Sequence, residues 1–209
     1  MREYIFHGKR TDNGGWAEGY LQVLEGVPQI FVPFTEEEKA NQNFRLSAPL
    51  GGWWYIVVPE SIGQYTGFDE WMLDDASRNA KLYEGDIIEV WCNREIYGSP
   101  WSTHDGKVKF RGVIIFEYGE WRIDFKNKYN ETICKAKGKE EYDRDIPWGY
   151  ELYHNYFNHL KNREEYRKKQ LESREKCRKH GWEGQFIYDD IVKIGTVYDD
   201  ADLLEGDVN

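Results

Sequence analysis

The chain has 209 residues, with 28 Lys and Arg against 38 Asp and Glu and a formal net charge of −10. Aromatic residues make up 16% of it, which argues against intrinsic disorder, because disordered chains are poor in large apolar side chains. No stretch approaches the roughly 18 apolar residues of a transmembrane helix, and an acidic surface disfavours generic binding to DNA.

The cysteines and the first residues predict a cytoplasmic protein. Cys92, Cys134 and Cys177 are odd in number, widely separated and outside any metal-binding spacing. Residues 1–7 lack the apolar run of a signal peptide. Reduced thiols and no cofactor are therefore expected.

The first 60 residues predict β structure. Residues 4–9 and 16–24 flank the turn sequence Asp12-Asn13-Gly14-Gly15, which favours a hairpin. Apolar strands follow at 29–33 and 53–58, and the polar segment 35–47 is a helical turn or a loop.

The middle of the chain continues in strands. Residues 86–92 form one, and two more, 107–117 and 120–126, lie on either side of Tyr118-Gly119. Charged and apolar residues alternate at the start of the first, over 107–111, and along the second. This alternation predicts a hairpin with one exposed face that carries Arg122, Asp124 and Lys126.

A composition change near residue 145 predicts one long helix over 147–180. Its first part carries an apolar stripe, and its second part places Glu four residues before Lys four times. Between 161 and 180 there are 9 basic and 4 acidic residues. Strands at 185–188 and 191–198 and a helical turn at 199–205 complete the predicted elements.

Four short motifs occur in a fixed order along the chain. They are Gln64-Tyr65-Thr66-Gly67-Phe68, Lys81-Leu82-Tyr83-Glu84-Gly85-Asp86-Ile87-Ile88, Gly112-Val113-Ile114 and residues 194–205, which include Gly195, Tyr198, Leu203 and Leu204. In this order they resemble the YopX family of phage and prophage proteins.

The resemblance implies a mainly β fold with an SH3-like β-barrel, and no catalytic residue. It divides the chain into a β-rich region 1–60, a barrel domain 61–144 plus 185–209, and an inserted helix 145–184 that typical members lack. The motif residues are expected to be structural. Gly85 would permit a left-handed turn, Asp86 would accept backbone N–H bonds, and Leu203 and Leu204 would fix the C-terminal segment by burial.

Catalytic patterns are weak in this sequence. The five histidines lack ligand spacing, so no metal site is expected. Asp105 with Asp124-Phe125-Lys126 has the composition of a metal-dependent nuclease site. The alternation that exposes Asp124 and Lys126 favours an ordinary solvated strand, and we expect no enzyme.

Two features are candidate binding surfaces. SH3-like barrels often present aromatic side chains to peptides or single strands, and the candidates here are Trp53, Trp54, Trp91, Trp101 and Trp121. The basic segment 161–180, with Lys168, Lys169, Lys176 and Lys179, is the second. A solvated or oligomer-contacting helix is favoured there over a nucleic-acid contact.

The sequence therefore predicts a non-enzymatic phage accessory protein that acts through contact with a protein partner or with itself, and not through a membrane. Two alternatives stay open. One is a nucleic-acid-binding module that uses the basic helix, and the other is an acidic DNA mimic that inhibits a host protein.

Overall fold

A computed structural model describes residues 4–40, 51–72, 75, 77, 79–92, 108–131, 163–180 and 189–205. The chain is mainly β, as predicted, with ten strands in two antiparallel sheets. It divides into two compact units. The first contains Met1–Gly67 and Tyr83–Gly85, and the second contains Phe68–Leu82 and Asp86–Asn209.

The first sheet has six strands in the order β4-β3-β2-β1-β5-β6. Helix α1 (Glu36–Ala40) lies between β3 and β4 in the chain, and a 3-10 turn (Pro59–Ser61) precedes β5. The strands are β1 (Phe6–Lys9), β2 (Trp16–Leu24), β3 (Val27–Pro33), β4 (Gly52–Ile56), β5 (Gly63–Asp69) and β6 (Lys81–Tyr83).

Tight turns join the first strands. The predicted β1–β2 hairpin is confirmed: Phe6 pairs with Gly19 and Lys9 with Trp16. The β2–β3 turn has Glu25 and Gly26 at φ 51° and 83°. Positive φ at both central residues is the requirement of a type I′ turn, which suits the twist of the flanking strands.

One side of β2, β3 and β4 encloses a small apolar core. Ala17, Ile30 and Val57 are buried there, and each large side chain of this kind stabilises the fold by about 1.5–3 kcal/mol. The sheet curls around this core, because the end of β1 meets the end of β4. The Val58 N–H donates to the Lys9 carbonyl at 2.8 Å, and the Thr11 N–H to the Ile56 carbonyl at 3.0 Å.

The second sheet has four strands in the order β10-β7-β8-β9. The predicted alternation in β9 is confirmed, since Trp121, Ile123 and Phe125 are buried between more exposed neighbours. The core on that side also includes Trp71, Leu82, Ile88, Val90, Ile114 and Ile191. The strands are β7 (Asp86–Cys92), β8 (Val108–Glu117), β9 (Glu120–Asp124) and β10 (Asp189–Thr196).

This second sheet is open across the residues that the structure describes. Strands β10 and β9 are its two edges, so the described strands of the C-terminal part do not close into the expected SH3-like barrel. In the N-terminal unit, curvature instead brings the ends of β1 and β4 together, at the bridge between Arg10 and Val57.

Helix α2 (Arg163–Lys179) is the long described helix. It lies inside the predicted span 147–180, and the earlier part of that span, up to residue 162, is outside the described residues, as are 185–188. The Arg167 guanidinium carbon is 4.6 Å from the centre of the Trp71 ring. Among the described residues, no helix has the length and apolar character needed to cross a membrane.

Candidate functional site

The outer side of β2, β3 and β4 is largely apolar, and most of its side chains are exposed. Residues directly opposite each other in neighbouring strands share a face, and one such row consists of Tyr20, Phe31 and Trp54. We call this surface the aromatic face. Its eight members lie in three rows: Tyr20–Phe31–Trp54, Gln22–Gln29–Ile56 and Leu24–Val27.

The exposure of this face is high for apolar side chains. Tyr20 is 55% exposed, Trp54 40% and Ile56 49%. A whole aromatic side chain has about 150–250 Å², so Tyr20 and Trp54 alone present roughly 200 Å². Leu24 at 53% and Val27 at 40% extend the patch. A contiguous apolar area of a few hundred Å² on a protein surface commonly marks a contact site.

The central row is held in place by ring contacts. The Phe31 and Trp54 rings lie 4.9 Å apart at 41°, a tilted arrangement that aromatic pairs favour. Gly52 makes room for the Phe31 ring, because a Cβ at this position would lie 2.6 Å from the ring's Cζ atom. A glycine is therefore needed where the Phe31 ring covers the strand.

Beyond Tyr20, the same side of β2 ends in a more enclosed cluster. Trp16 is 39% exposed, and its ring lies 4.6 Å from the ring of His7. The buried His7 stacks on Tyr83 at 4.0 Å and 12°. The exposed part of the aromatic face thus begins at Tyr20 and runs towards the Glu25–Gly26 turn.

The tryptophans predicted for binding lie in different environments. Trp54 is on the aromatic face, whereas Trp53 points to the other side of β4 and contacts Phe34 edge-on at 5.4 Å, because neighbouring strand residues point to opposite faces. Trp121 is 7% exposed and belongs to the core. The side chains of Trp91 and Trp101 are outside the described set.

The first motif, residues 64–68, lies inside β5. The Gln64 carbonyl accepts from the Glu84 N–H at 3.0 Å, and the Tyr65 N–H donates to the Ile5 carbonyl at 2.7 Å. Thr66 is buried, and Gly67 has φ 89°. The left-handed backbone at Gly67 therefore lies within a strand.

The second motif forms the turn from β6 into β7. Gly85 has φ 81°, as its predicted left-handed role requires. Asp86 is fully buried, and its carboxylate lies 2.8 Å from the Lys193 ammonium. Its carboxylate is thus paired with the side chain of a β10 residue.

The closing motif, residues 194–205, is the last described segment of the chain and contains a turn that an aspartate side chain caps. The Asp200 carboxylate accepts from the Thr196 N–H at 3.0 Å, and a Cβ at Gly195 would lie 2.6 Å from this carboxylate. Tyr198 is 40% exposed. Leu203 and Leu204 are half-buried rather than buried as predicted. The Leu203 carbonyl instead accepts from the Arg111 guanidinium at 2.8 Å.

Sequence reasoning missed a polar network around Arg111. Its guanidinium lies 3.6 Å from the Glu89 carboxylate and 4.0 Å above the Tyr129 ring. The fully buried Asn130 accepts from the Arg111 N–H at 3.0 Å. Burial raises the pKa of Tyr129, and the Arg111 charge opposes this. The alternation along β8 indicated that the Arg111 side chain is exposed. Only its position opposite Glu89 in the neighbouring strand would have indicated a partly buried ion pair.

The nuclease pattern is only partly described. Asp105 is outside the described residues, and Asp124 accepts the backbone N–H of Lys126 at 2.9 Å. Across the described residues, no group of three or more His, Cys, Asp or Glu side chains is placed to hold a metal ion.

The lysines of α2 are on an exposed helix. The Lys169 ammonium lies 2.7 Å from the Glu165 carboxylate, and the Lys179 ammonium 3.7 Å from the Glu175 carboxylate. The hydrogen bond between Lys169 and Glu165 raises the pKa of Lys169 and lowers the pKa of Glu165. Lys168 and Lys176 are exposed as well.

No protein-family model, curated protein or solved structure matches the chain.

Proposed function

We propose that this protein acts through protein–protein contact, with the aromatic face as the contact surface. The observation that carries this proposal is the row Tyr20–Phe31–Trp54 across three adjacent strands, in which Tyr20 and Trp54 are exposed on either side of the half-buried Phe31. Tyrosine and tryptophan are the residues most enriched at the energetic centres of interfaces. A phage or prophage accessory role of the YopX type accompanies the proposal, supported by the four ordered motifs.

The rigidity of the face supports a binding role. Its side chains stand on hydrogen-bonded strands, and the residues on the other side of the same strands form a packed core. A surface held in this way loses little conformational entropy when a partner binds. The Phe31–Trp54 contact further restricts the two central rings.

The test compares the wild-type chain with the double variant Tyr20→Ser/Trp54→Ser as baits in a bacterial lysate, together with measurement of molar mass by light scattering. We expect the wild type to retain a defined partner or to self-associate, and the variant to do neither. Each change removes an exposed aromatic ring, so the fold is expected to tolerate both.

Tyr118→Ser is the matched control, because Tyr118 is 82% exposed but lies at the β8–β9 turn of the second unit and is not part of the aromatic face. It is expected to behave as the wild type. If the double variant retains the same proteins and shows the same molar mass as the wild type, the aromatic face is not the contact surface.

Nucleic-acid binding through α2 is the second candidate. The observation that favours it is the excess of 8 basic over 4 acidic residues within the helix. Contacts of lysine with phosphate release counterions, so retention of an oligonucleotide would fall steeply with salt. Fluorescence anisotropy with single-stranded and duplex DNA tests this. Binding that persists after Lys168, Lys169, Lys176 and Lys179 are changed to Glu would refute it.

A further inference from the structure

The surroundings of the aromatic face are acidic. On β2 the exposed Glu18 lies between Trp16 and Tyr20 on the same side of the sheet, and the exposed Glu25 stands at the tip of the β2–β3 hairpin. The first unit as a whole has 5 basic and 9 acidic residues, a net charge of −4. Aromatic rings next to carboxylates favour a cationic ligand, because both attract positive charge.

The same chain carries a matching cationic element. Helix α2 has 8 basic and 4 acidic residues, a net charge of +4. The side chains of Lys169 and Lys179 are each 70% exposed. Their long methylene stems would cover apolar surface while the ammonium groups reach carboxylates.

The two elements also match in width. The 17 residues of α2 span about 25 Å, and a helix with its side chains is about 10–12 Å wide. The face extends along β2 from Tyr20 to Leu24, about 17 Å, and three adjacent strands are about 10 Å across between the outer two. About eleven residues of the helix therefore fit along the face.

We propose that the occupant of the aromatic face is helix α2 of a second copy of this chain, in a head-to-tail contact. This inference rests on the proposed function, since it uses the same face, and adds the identity of the partner. The contact is heterologous, because face and helix are different surfaces. A dimer formed in this way keeps one vacant face and one vacant helix, to which further copies can bind. The average molar mass is therefore expected to increase with concentration.

The contact is expected to be weak and sensitive to salt. A single helix on a sheet face buries less than the roughly 1,200–2,000 Å² of stable complexes, so dissociation at micromolar concentrations is expected. Exposed charge pairs are screened over about 8–10 Å at physiological salt. Moderate salt should therefore lower the average molar mass.

The experiment uses full-length chains and sedimentation equilibrium. The face variant is Tyr20→Ser/Trp54→Ser, and the helix variant replaces Lys168, Lys169, Lys176 and Lys179 with Glu. Each variant alone is expected to be monomeric. An equimolar mixture is expected to form a 1:1 heterodimer, since the face variant supplies an intact helix and the helix variant an intact face.

A second helix variant with Gln at the four lysines guards against loss of the helix, because Gln keeps helix propensity close to that of Lys. Tyr118→Ser is again the control and should assemble as the wild type. Circular dichroism verifies that every variant is folded.

Three results would overturn the inference: a wild type that stays monomeric at every concentration, self-association that survives in both helix variants, or a mixture that stays monomeric. In the lysate assay, the wild type could retain another protein that the face variant does not retain. In that case the proposed function stands, and only the second copy is rejected as the partner of the face.

Discussion

The ion pair of Asp86 and Lys193 allows a quantitative prediction. Asp86 has no exposed surface, whereas the Lys193 side chain is 27% exposed, and the two charges are 2.8 Å apart. The change Lys193→Met keeps most of the aliphatic side chain and removes the ammonium. It leaves a fully buried carboxylate without that counter-charge.

Removing one partner of a buried pair typically costs about 3–5 kcal/mol, a large part of the 5–15 kcal/mol by which a domain is usually stable. For a chain of this length, each kcal/mol lowers the melting temperature by about 2–4 °C, so we expect a drop of about 6–20 °C. Asp86→Asn should cost less, about 1–2 kcal/mol, since the ammonium left behind reaches water.

The assay is urea unfolding followed by tryptophan fluorescence, with Lys126→Met as the control. Lys126 is an exposed lysine, and its replacement should change the free energy of unfolding by no more than about 0.5 kcal/mol. A cost below about 1 kcal/mol for Lys193→Met would refute the reasoning, as would a larger cost for Asp86→Asn than for Lys193→Met.

Three further predictions concern the second unit. Burial raises the pKa of Tyr129 above 10.0, so stability should fall as the pH rises above about 10; Tyr129→Phe should lessen that fall in unfolding measurements between pH 8 and pH 11, and Tyr118→Phe should not. Asn130→Ala should lower the free energy of unfolding by at least about 2 kcal/mol in urea titration, because its fully buried amide bonds three backbone groups; a change below about 1 kcal/mol would contradict this. Gly195→Ala should cost about 1–3 kcal/mol by the same assay, since the added methyl would displace the Asp200 carboxylate, and an unchanged unfolding midpoint would exclude the contact.

Much of the fold was predictable because local signals and tertiary structure agree. The β8–β9 hairpin follows from the alternation in 107–111 and 120–126 on either side of Tyr118-Gly119, and both turn residues have positive φ, 53° and 84°. The β1–β2 hairpin likewise follows from a glycine-rich turn between two apolar segments.

The candidate site was only partly predictable. Composition indicated an aromatic surface and made both Trp53 and Trp54 candidates, but the strand's period of two places them on opposite faces. Tyr20 and Phe31 join Trp54 through register between strands, which a single sequence does not specify. The burial of Asp86 and Arg111 depends on partners about 107 and 92 residues away, respectively.

The strict alternation of β3 has a consequence for how this sequence can diverge. Ile30 is fully buried, and its neighbour Phe31 faces the outer side. In a library of β3 variants, selection for folding alone would preserve position 30 and let position 31 drift to any residue that tolerates a strand. Selection for the contact would preserve both. Comparing the residues tolerated at each of the seven positions of β3 under the two selections would separate residues kept for the core from residues kept for a partner.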